Sequence, residues 1–384
     1  MTRRRTTTAA LLALVATLGG CAGDGGQQSA LRPGSGEASA IGGLWQTMLV
    51  IGTAVWLFVS VVAVIAVVRR RREREHDVDR EREGRRTTLW VAVAGAIVPA
   101  VILAVVLVQS VVVLRDNADG ESVAAAGSGG GSDQAAVVEI TGHQFWWEIK
   151  YPEAGVETAN EIHIPAGEQV ELQLSSADVI HSFWVPELGG KVDLVPGRSN
   201  TMRVTADEPG TYWGQCAEYC GIQHAKMRIV VVAHEPAEYQ AWLQAQSEPA
   251  EMLAQPGDAS TGDQTGGDQT ATSGEDDSGQ DVGPSAAEEA DSEMVARGQE
   301  VFLSSSCVYC HTVAGTPAQG NVGPDLTHLA SRQTLASGVL QNTTGNLAGW
   351  ITDPQSIKPG NLMPATDLEG EDLQALLAYL ESLE

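Results

Sequence analysis

Two long stretches without a single charge constrain this chain more than anything else in it. Ile41 to Val68 carries no charged residue, and neither does Leu89 to Leu114. At about 1.5 Å of rise per residue, roughly 20 helical residues cross the hydrocarbon core of a bilayer, so each stretch can span it with some tilt. Buried core helices of a soluble protein are a poor account of apolar runs this long. Between them lies RRRREREHDVDREREGRR, residues 69–86. Short arginine-rich loops stay on the cytoplasmic side, so the hairpin 41–114 is predicted to turn inward and to leave everything after Leu114 outside the cytoplasm. The formal charge of -26 concentrates there. That suits an acidic soluble exterior and speaks against nucleic-acid binding.

The beginning of the chain predicts the same topology. Arg3, Arg4 and Arg5 precede an apolar run from Ala9 to Leu18, followed by LGGCAG. Residues 1–20 therefore read as a secretory signal, and Cys21 resembles the lipidated acceptor of a bacterial lipoprotein signal. Residues 21–40 read as a flexible linker. The other cysteines are Cys216, Cys220, Cys307 and Cys310. In an oxidising compartment an isolated pair reads as a disulfide, but each of these sits in a motif with a better explanation.

Past the hairpin, residues 115–135 are a Gly/Ser/Ala-rich tether. Residues 136–246 alternate apolar and polar positions in short segments punctuated by Pro, Gly and Asp, the pattern of a Greek-key β-sandwich or barrel, closed by a short helix at PAEYQAWLQAQ. Residues 247–290 hold eleven acidic residues, no basic ones and no aromatics, which predicts a disordered acidic linker. Residues 291–384 read as a small, mostly helical domain, with Leu368, Leu373, Leu376, Leu377 and Leu380 near helical spacing at its end. The fold class is thus multidomain: a two-helix transmembrane hairpin, an all-β sandwich and a small all-α domain.

CVYCH, Cys307 to His311, is the C-x-x-C-H signature of covalent haem attachment. Cys307 and Cys310 would hold the macrocycle and His311 would lie under the iron. A thioredoxin-type pair would need a βαβ context, and a zinc site would need a second ligand pair. An electron-transfer haem favours a soft sixth ligand. Met363, in the loop NLMPATDL, is preferred over Met294 on the opening helix, because the Met-Pro loop resembles the ligand loop of class I cytochromes c. GPDLTHLA likewise resembles the segment whose proline carbonyl supports the proximal histidine. His328 competes as a ligand and is read as a surface or propionate-side histidine.

In GQCAEYCGIQHAKMRIVVV, Cys216, Cys220 and His224 are each four apart, with Met227 three further on. A disulfide leaves the histidine and methionine unexplained, and zinc rarely recruits a thioether. Two thiolates with imidazole and thioether select copper. A single blue-copper site needs one cysteine. Two on one loop can bridge a pair of metal ions, provided a second imidazole arrives from elsewhere. His181, in DVIHSFWVPELGG, is the candidate. His143 and His163 lie within alternating strand segments and are weaker.

HSFWVP, DLVPGR and TYWGQCAEYCGIQHAKM resemble subunit II of haem–copper cytochrome c oxidases over residues 41–246, and the trailing haem domain resembles the cytochrome-c-fused, caa-type branch. The resemblance implies a cupredoxin-like β-domain in which His181, Cys216, Cys220, His224, Met227 and the Glu218 carbonyl hold a dinuclear copper A centre. It also implies a magnesium shared with subunit I through the Glu218 carboxylate. Electrons would pass from haem c to copper A and on to subunit I, where oxygen is reduced, with no catalytic residue in this chain. The family commonly opens its aromatic triplet with Trp. Here the triplet is Phe145, Trp146, Trp147, which leaves Trp146 and Trp147 as the electron path and suits a tethered donor. Glu83, near the second span, receives no proton-uptake role. The implied partners are subunit I, further oxidase subunits, the lipid bilayer and an upstream donor such as a cytochrome c or a cytochrome bc-type complex. The implied location is the bacterial plasma membrane, with both soluble domains outside. The acidic linker, with an r.m.s. reach of about 35 Å, would keep haem near copper. A copper chaperone would lack a second redox centre, a quinol oxidase subunit would lack the copper ligands, and a nitrous-oxide reductase would lack the hairpin.

Overall fold

The computed structural model describes residues 26–72, 84, 88–123, 136–249 and 286–384. The signal segment 1–20, Cys21 with its lipidation, Glu83 and the body of the acidic linker lie outside the described residues.

The apolar stretches form two long helices. The first, α1, is Gly36–Arg72. It begins five residues before Ile41 because Ser35 caps it, its Oγ accepting from the Ala38 amide at 3.0 Å, with Glu37 in the first turn favouring the helix dipole. The linker read over 21–40 is therefore structured at its end. Arg32 pairs with Glu187 at 2.8 Å and Ser35 donates to the Leu188 carbonyl, in the segment Pro186–Gly190 that belongs to the same compact unit. The second stretch passes through a π-helical turn, Val93–Ile97, into α2, Val98–Val123, so the first residues of the 115–135 tether are helical. Both helices are long and apolar enough to cross a membrane, and side chains such as Val62, Leu103 and Leu107 are exposed along them. The chain is membrane-anchored.

Ala136–Val185, Lys191–Val204 and Glu208–Glu384 form the other compact unit. Its first part is a two-sheet sandwich of strands β1 Val137–His143, β2 Trp146–Tyr151, β3 Val156–Ala159, β4 Glu161–Pro165, β5 Val170–Ser176, β6 His181–Trp184, β7 Lys191–Leu194, β8 Asn200–Val204, β9 Gly210–Gln215 and β10 Arg228–His234. One sheet runs β3-β2-β1-β5-β8, the other β4-β10-β9, and β6 pairs with β7 as a hairpin. The parallel pairs β1–β5 and β4–β10 mark crossovers between non-consecutive strands. Alternation decides which face goes in: Val138, Ile140, Trp147, Ile149, Leu172 and Leu174 are buried while their chain neighbours are not. Helix α3, Pro236–Ser247, closes the cupredoxin-like domain with Pro in its first turn.

The last part is helical. Helix α4, Ala286–Ser304, starts inside the predicted linker, and α5 Thr344–Thr352, α6 Pro354–Ile357 and α7 Gly370–Glu381 follow, with a two-residue hairpin, β11 Thr334–Leu335 with β12 Leu340–Gln341, between them. Phe302, Leu347, Ile351, Leu376, Tyr379 and Leu380 make its core. Helices α4 and α7 cross at Gly298, where any Cβ would collide with the Ala375 carbonyl.

Candidate metal and haem sites

The copper-type ligands come from two places that only the β-fold unites. His181 opens β6, and Cys216 to Met227 form the loop between β9 and β10, while Asp178, which is no ligand, lies in the turn before β6. The Sγ atoms of Cys216 and Cys220 are 3.8 Å apart as free thiols. His181 Nδ1 lies 3.9 Å from Cys216 Sγ, His224 Nδ1 lies 3.8 Å from Cys220 Sγ, and Met227 Sδ lies 3.8 Å from Cys220 Sγ. The Glu218 carbonyl is 3.1 Å from Cys216 Sγ, and its carboxylate end belongs to an exposed residue. The ligand atoms of His181, Cys216 and Cys220 all lie within 4.8 Å of one another, and these three residues are buried. All six predicted copper residues thus meet in one place.

Two soft sulfurs, two imidazoles and a thioether, dry and mutually close, fit a thiolate-bridged pair of copper ions. The electrostatics fit as well. The hydrogen bond from Cys220 holds the Cys216 thiol far down, at about 3, against the opposing effect of burial, with His181 adding to it. The same contact, with burial adding to it, pushes Cys220 up. Burial disfavours charge on His181, yet its contacts with Cys216 and Asp178 raise its pKa on balance. Asp178 Oδ1 sits 2.8 Å from His181 Nε2, which aims Nδ1 at the sulfurs. Gly142 lets the ring lie flat on β1, since a Cβ there would stand 2.8 Å from His181 Cδ2. The spacing of Cys216, Cys220, His224 and Met227 marked them as candidates in the sequence; the Asp178 carboxylate beside His181 carried no such signal.

The haem-type residues line one cleft of about 340 Å³: Cys307, Cys310, His311 and Met363 are all in its wall. His311 Nδ1 is 2.7 Å from the Pro324 carbonyl, which fixes the ring and leaves Nε2 for an iron. Two buried cations also face this cleft. Arg332 donates to the Asp325 carbonyl while its Nε has no partner, and Lys358 donates only to carbonyls, Phe145 at 2.9 Å and Ala336 at 3.2 Å. Burial lowers the pKa of Lys358 to about 7, with Lys226 nearby adding to it. A cleft with thiols, an imidazole, a thioether and unsatisfied positive charge fits a haem with its carboxylates. Met294 is exposed on α4, away from the cleft. His328 is neither at the surface nor in the cleft wall: it is buried, with Nδ1 2.7 Å from the Glu384 carbonyl and Nε2 3.1 Å from that of Glu248.

Spacing gave no hint that the cleft is shared. Gln144, Phe145, Trp146 and Asn160 of the sandwich line it beside the haem-type residues. Glu161 accepts from the amides of Gln333 and Thr334 at 2.9 and 2.6 Å and from Thr334 Oγ1 at 2.6 Å. Arg228 and Ser337 exchange two further bonds, and Lys226 reaches the Ile357 carbonyl. Trp146 stacks on His143 at 4.4 Å, and Trp147 packs beside His181 at 6.0 Å between ring centroids. His163 pairs with His234 at 2.7 Å under Trp242, remote from either ligand set.

With this geometry in hand, the likenesses to known proteins are specific. The profile described as "Cytochrome C oxidase subunit II, periplasmic domain" matches residues 154–234, and that of "Cytochrome c" matches residues 295–384. Cytochrome c oxidase subunit 2 of Alkalihalophilus pseudofirmus is 39% identical over 65% of this chain, which spans 62% of that relative's length. The subunit 2 of Bacillus sp. PS3 is 29% identical over 75% of the chain and 72% of the relative, and that of Synechocystis sp. is 32% identical over 60% and 80%. Among solved structures, the periplasmic domain of cytochrome oxidase subunit II of Bradyrhizobium japonicum shares 32% identity over 29% of this chain and 94% of that one, with a TM-score of 0.29.

Proposed function

The chain belongs to the cytochrome c oxidase subunit II family, and from that premise we propose that it is the electron-transfer subunit of a haem–copper terminal oxidase, carrying both a haem c and a dinuclear copper A centre. Bound haem and copper supply one-electron carriers at the two sites. The protein's part is to hold, orient and dry them. Cys307 and Cys310 would attach the haem, His311 and Met363 would serve its iron, and the buried cations Arg332 and Lys358 in the same cleft would offset its carboxylates. His181, Cys216, Cys220, His224, Met227 and the Glu218 carbonyl hold copper on a rigid sandwich, so that little rearranges between redox states. Trp146, in the cleft wall, and Trp147, against His181, make an aromatic path from one site to the other. The exposed Glu218 carboxylate is free to share a magnesium with subunit I.

The single observation that carries this reading is the shared cleft: residues beside the copper-type loop line the wall of the haem-type site. The direction in this reading is haem to copper to subunit I, as the resemblance to the family implies. The donor upstream is a cytochrome c or a bc-type complex, and the arginine loop puts both redox domains on the extracytoplasmic side of a bacterial plasma membrane. The test is spectroscopic, on the matured full chain. A mixed-valence copper EPR signal and c-type haem bands are expected together, and Cys216→Ser should remove the first and leave the second. Zinc or a single copper per chain would overturn the reading.

A further inference from the structure

We propose that Lys358, Phe145 and Gln144 form the bridge through which an electron passes between the haem cleft and the copper ligand Cys220, a route separate from the tryptophan pair. The proposal rests on the functional reading above and adds the wire to it.

Lys358 is 3% exposed, and its ammonium meets only the carbonyls of Phe145, at 2.9 Å, and Ala336, at 3.2 Å. Burying an ammonium without a carboxylate costs several kcal/mol, so this position is maintained against a penalty. The acceptor at 2.9 Å belongs to the other domain, and the same side chain lines the haem cleft. From the Phe145 carbonyl, one peptide unit leads to Gln144. The Gln144 side-chain amide donates to the Cys220 carbonyl, and Cys220 Sγ is one of the bridging sulfurs. Gly221 keeps this contact open: a Cβ there would lie 2.9 Å from Gln144 Nε2 and 3.0 Å from Phe145 Cε1. The bridge therefore runs from cleft to copper loop through covalent bonds and two hydrogen bonds. The tryptophan path instead ends on a tilted ring contact, Trp147 with His181, that no hydrogen bond closes: among the described residues the Trp147 indole nitrogen has no partner. Electronic coupling decays faster through space than through bonds, and both junctions of the bridge are hydrogen bonds. With both groups bound, one electron would leave the haem and be taken up by the copper pair, and the bridge residues would only carry it, with no bond made or broken.

The experiment uses the full chain carrying both centres. The haem is photoreduced and the appearance of the electron on copper is timed in wild type, Lys358→Met, Gln144→Leu, the double variant and Trp147→Phe. Each single bridge variant is expected to slow transfer by about tenfold, one decade being about 1.4 kcal/mol of barrier. The loss should exceed that of Trp147→Phe, and the double variant should be no slower than Gln144→Leu, because Lys358 and the cleft-lining Phe145 both reach Cys220 through Gln144. Lys358→Met should also lower the haem midpoint potential, a positive charge having left the cleft, while Gln144→Leu leaves it unchanged. A lower donor potential alone would speed transfer, so slowing identifies lost coupling. Unchanged rates with intact haem bands and copper signal overturn the bridge and leave the function standing. Slowing in Lys358→Met but not Gln144→Leu assigns Lys358 to docking and overturns it too, as does slowing with altered copper hyperfine structure in Gln144→Leu. A wild type without both centres sinks the functional reading instead.

Discussion

At the scale of single residues, the buried His163 shows how environment sets charge. Burial, and secondarily the neighbouring His234, hold its pKa near 3 instead of 6.5. The unfolded chain takes up this proton below 6.5 and the folded one does so only near 3. Between those values the unfolded state binds more protons, so stability is full above pH 6.5 and falls as pH drops towards 3, by about 1.4 kcal/mol per pH unit. Burial also lowers His234, which acts with the same sign. The β-domain's unfolding midpoint should therefore decline through this window, and His163→Phe should flatten the decline; identical slopes would refute the assignment. Asp178 acts differently, by aiming His181. Asp178→Asn should weaken copper retention by about 10–100-fold in a chelator competition, with haem bands unaltered. Undiminished retention would remove its positioning role. The candidates Cys216, Cys220, His224 and Met227 stood out in the sequence because thiols, imidazole and thioether at fixed spacing have few other uses. Asp178 did not, since an aspartate in a turn is commonplace and only the folded loop shows what it touches.

Among elements, the crossing of α4 and α7 turns on Gly298. Ala is favoured over Gly inside a helix by about 1 kcal/mol, so Gly298→Ala on an open helix face would stabilise. Here the added methyl would strike the Ala375 carbonyl, backbone that cannot swing aside. Overpacking of this kind costs about 1–3 kcal/mol and more when backbone must move, so the clash wins. Denaturation followed by haem absorbance should show net destabilisation, and a stability equal to or above wild type would show that the helices part freely. Strands and amphipathic helices were readable from alternation and from the leucines of α7. Which strands pair was not: the parallel partners β1 with β5 and β4 with β10 are chosen by sandwich packing over long separations. Helix ends slipped outward for a local reason, the Ser35 cap extending α1 beyond its apolar stretch.

For the whole molecule, the pattern of domains was readable from composition, but the seat of the haem domain on the sandwich was not. Its contacts join residues about 170 positions apart, and no spacing rule reaches that far. A linker alone would raise the local concentration of haem near copper; the hydrogen bonds at Glu161 go further and select one orientation. Glu161 is 1% exposed and accepts from the amides of Gln333 and Thr334 and from Thr334 Oγ1. Thr334 itself lines the haem cleft, so the contact couples docking to the shape of the site. Glu161→Ala would strand the amide and hydroxyl of the buried Thr334 at about 1–3 kcal/mol each, besides the amide of the exposed Gln333, and the domain can avoid that cost by lifting off so that water takes the carboxylate's place. Amide hydrogen exchange at Gln333 and Thr334 should then accelerate, while copper EPR and haem bands stay as in wild type because neither ligand set is touched. Glu161→Gln keeps one acceptor oxygen and should fall between the two. Slow exchange persisting at both amides in Glu161→Ala would mean that the domains are held together without this carboxylate.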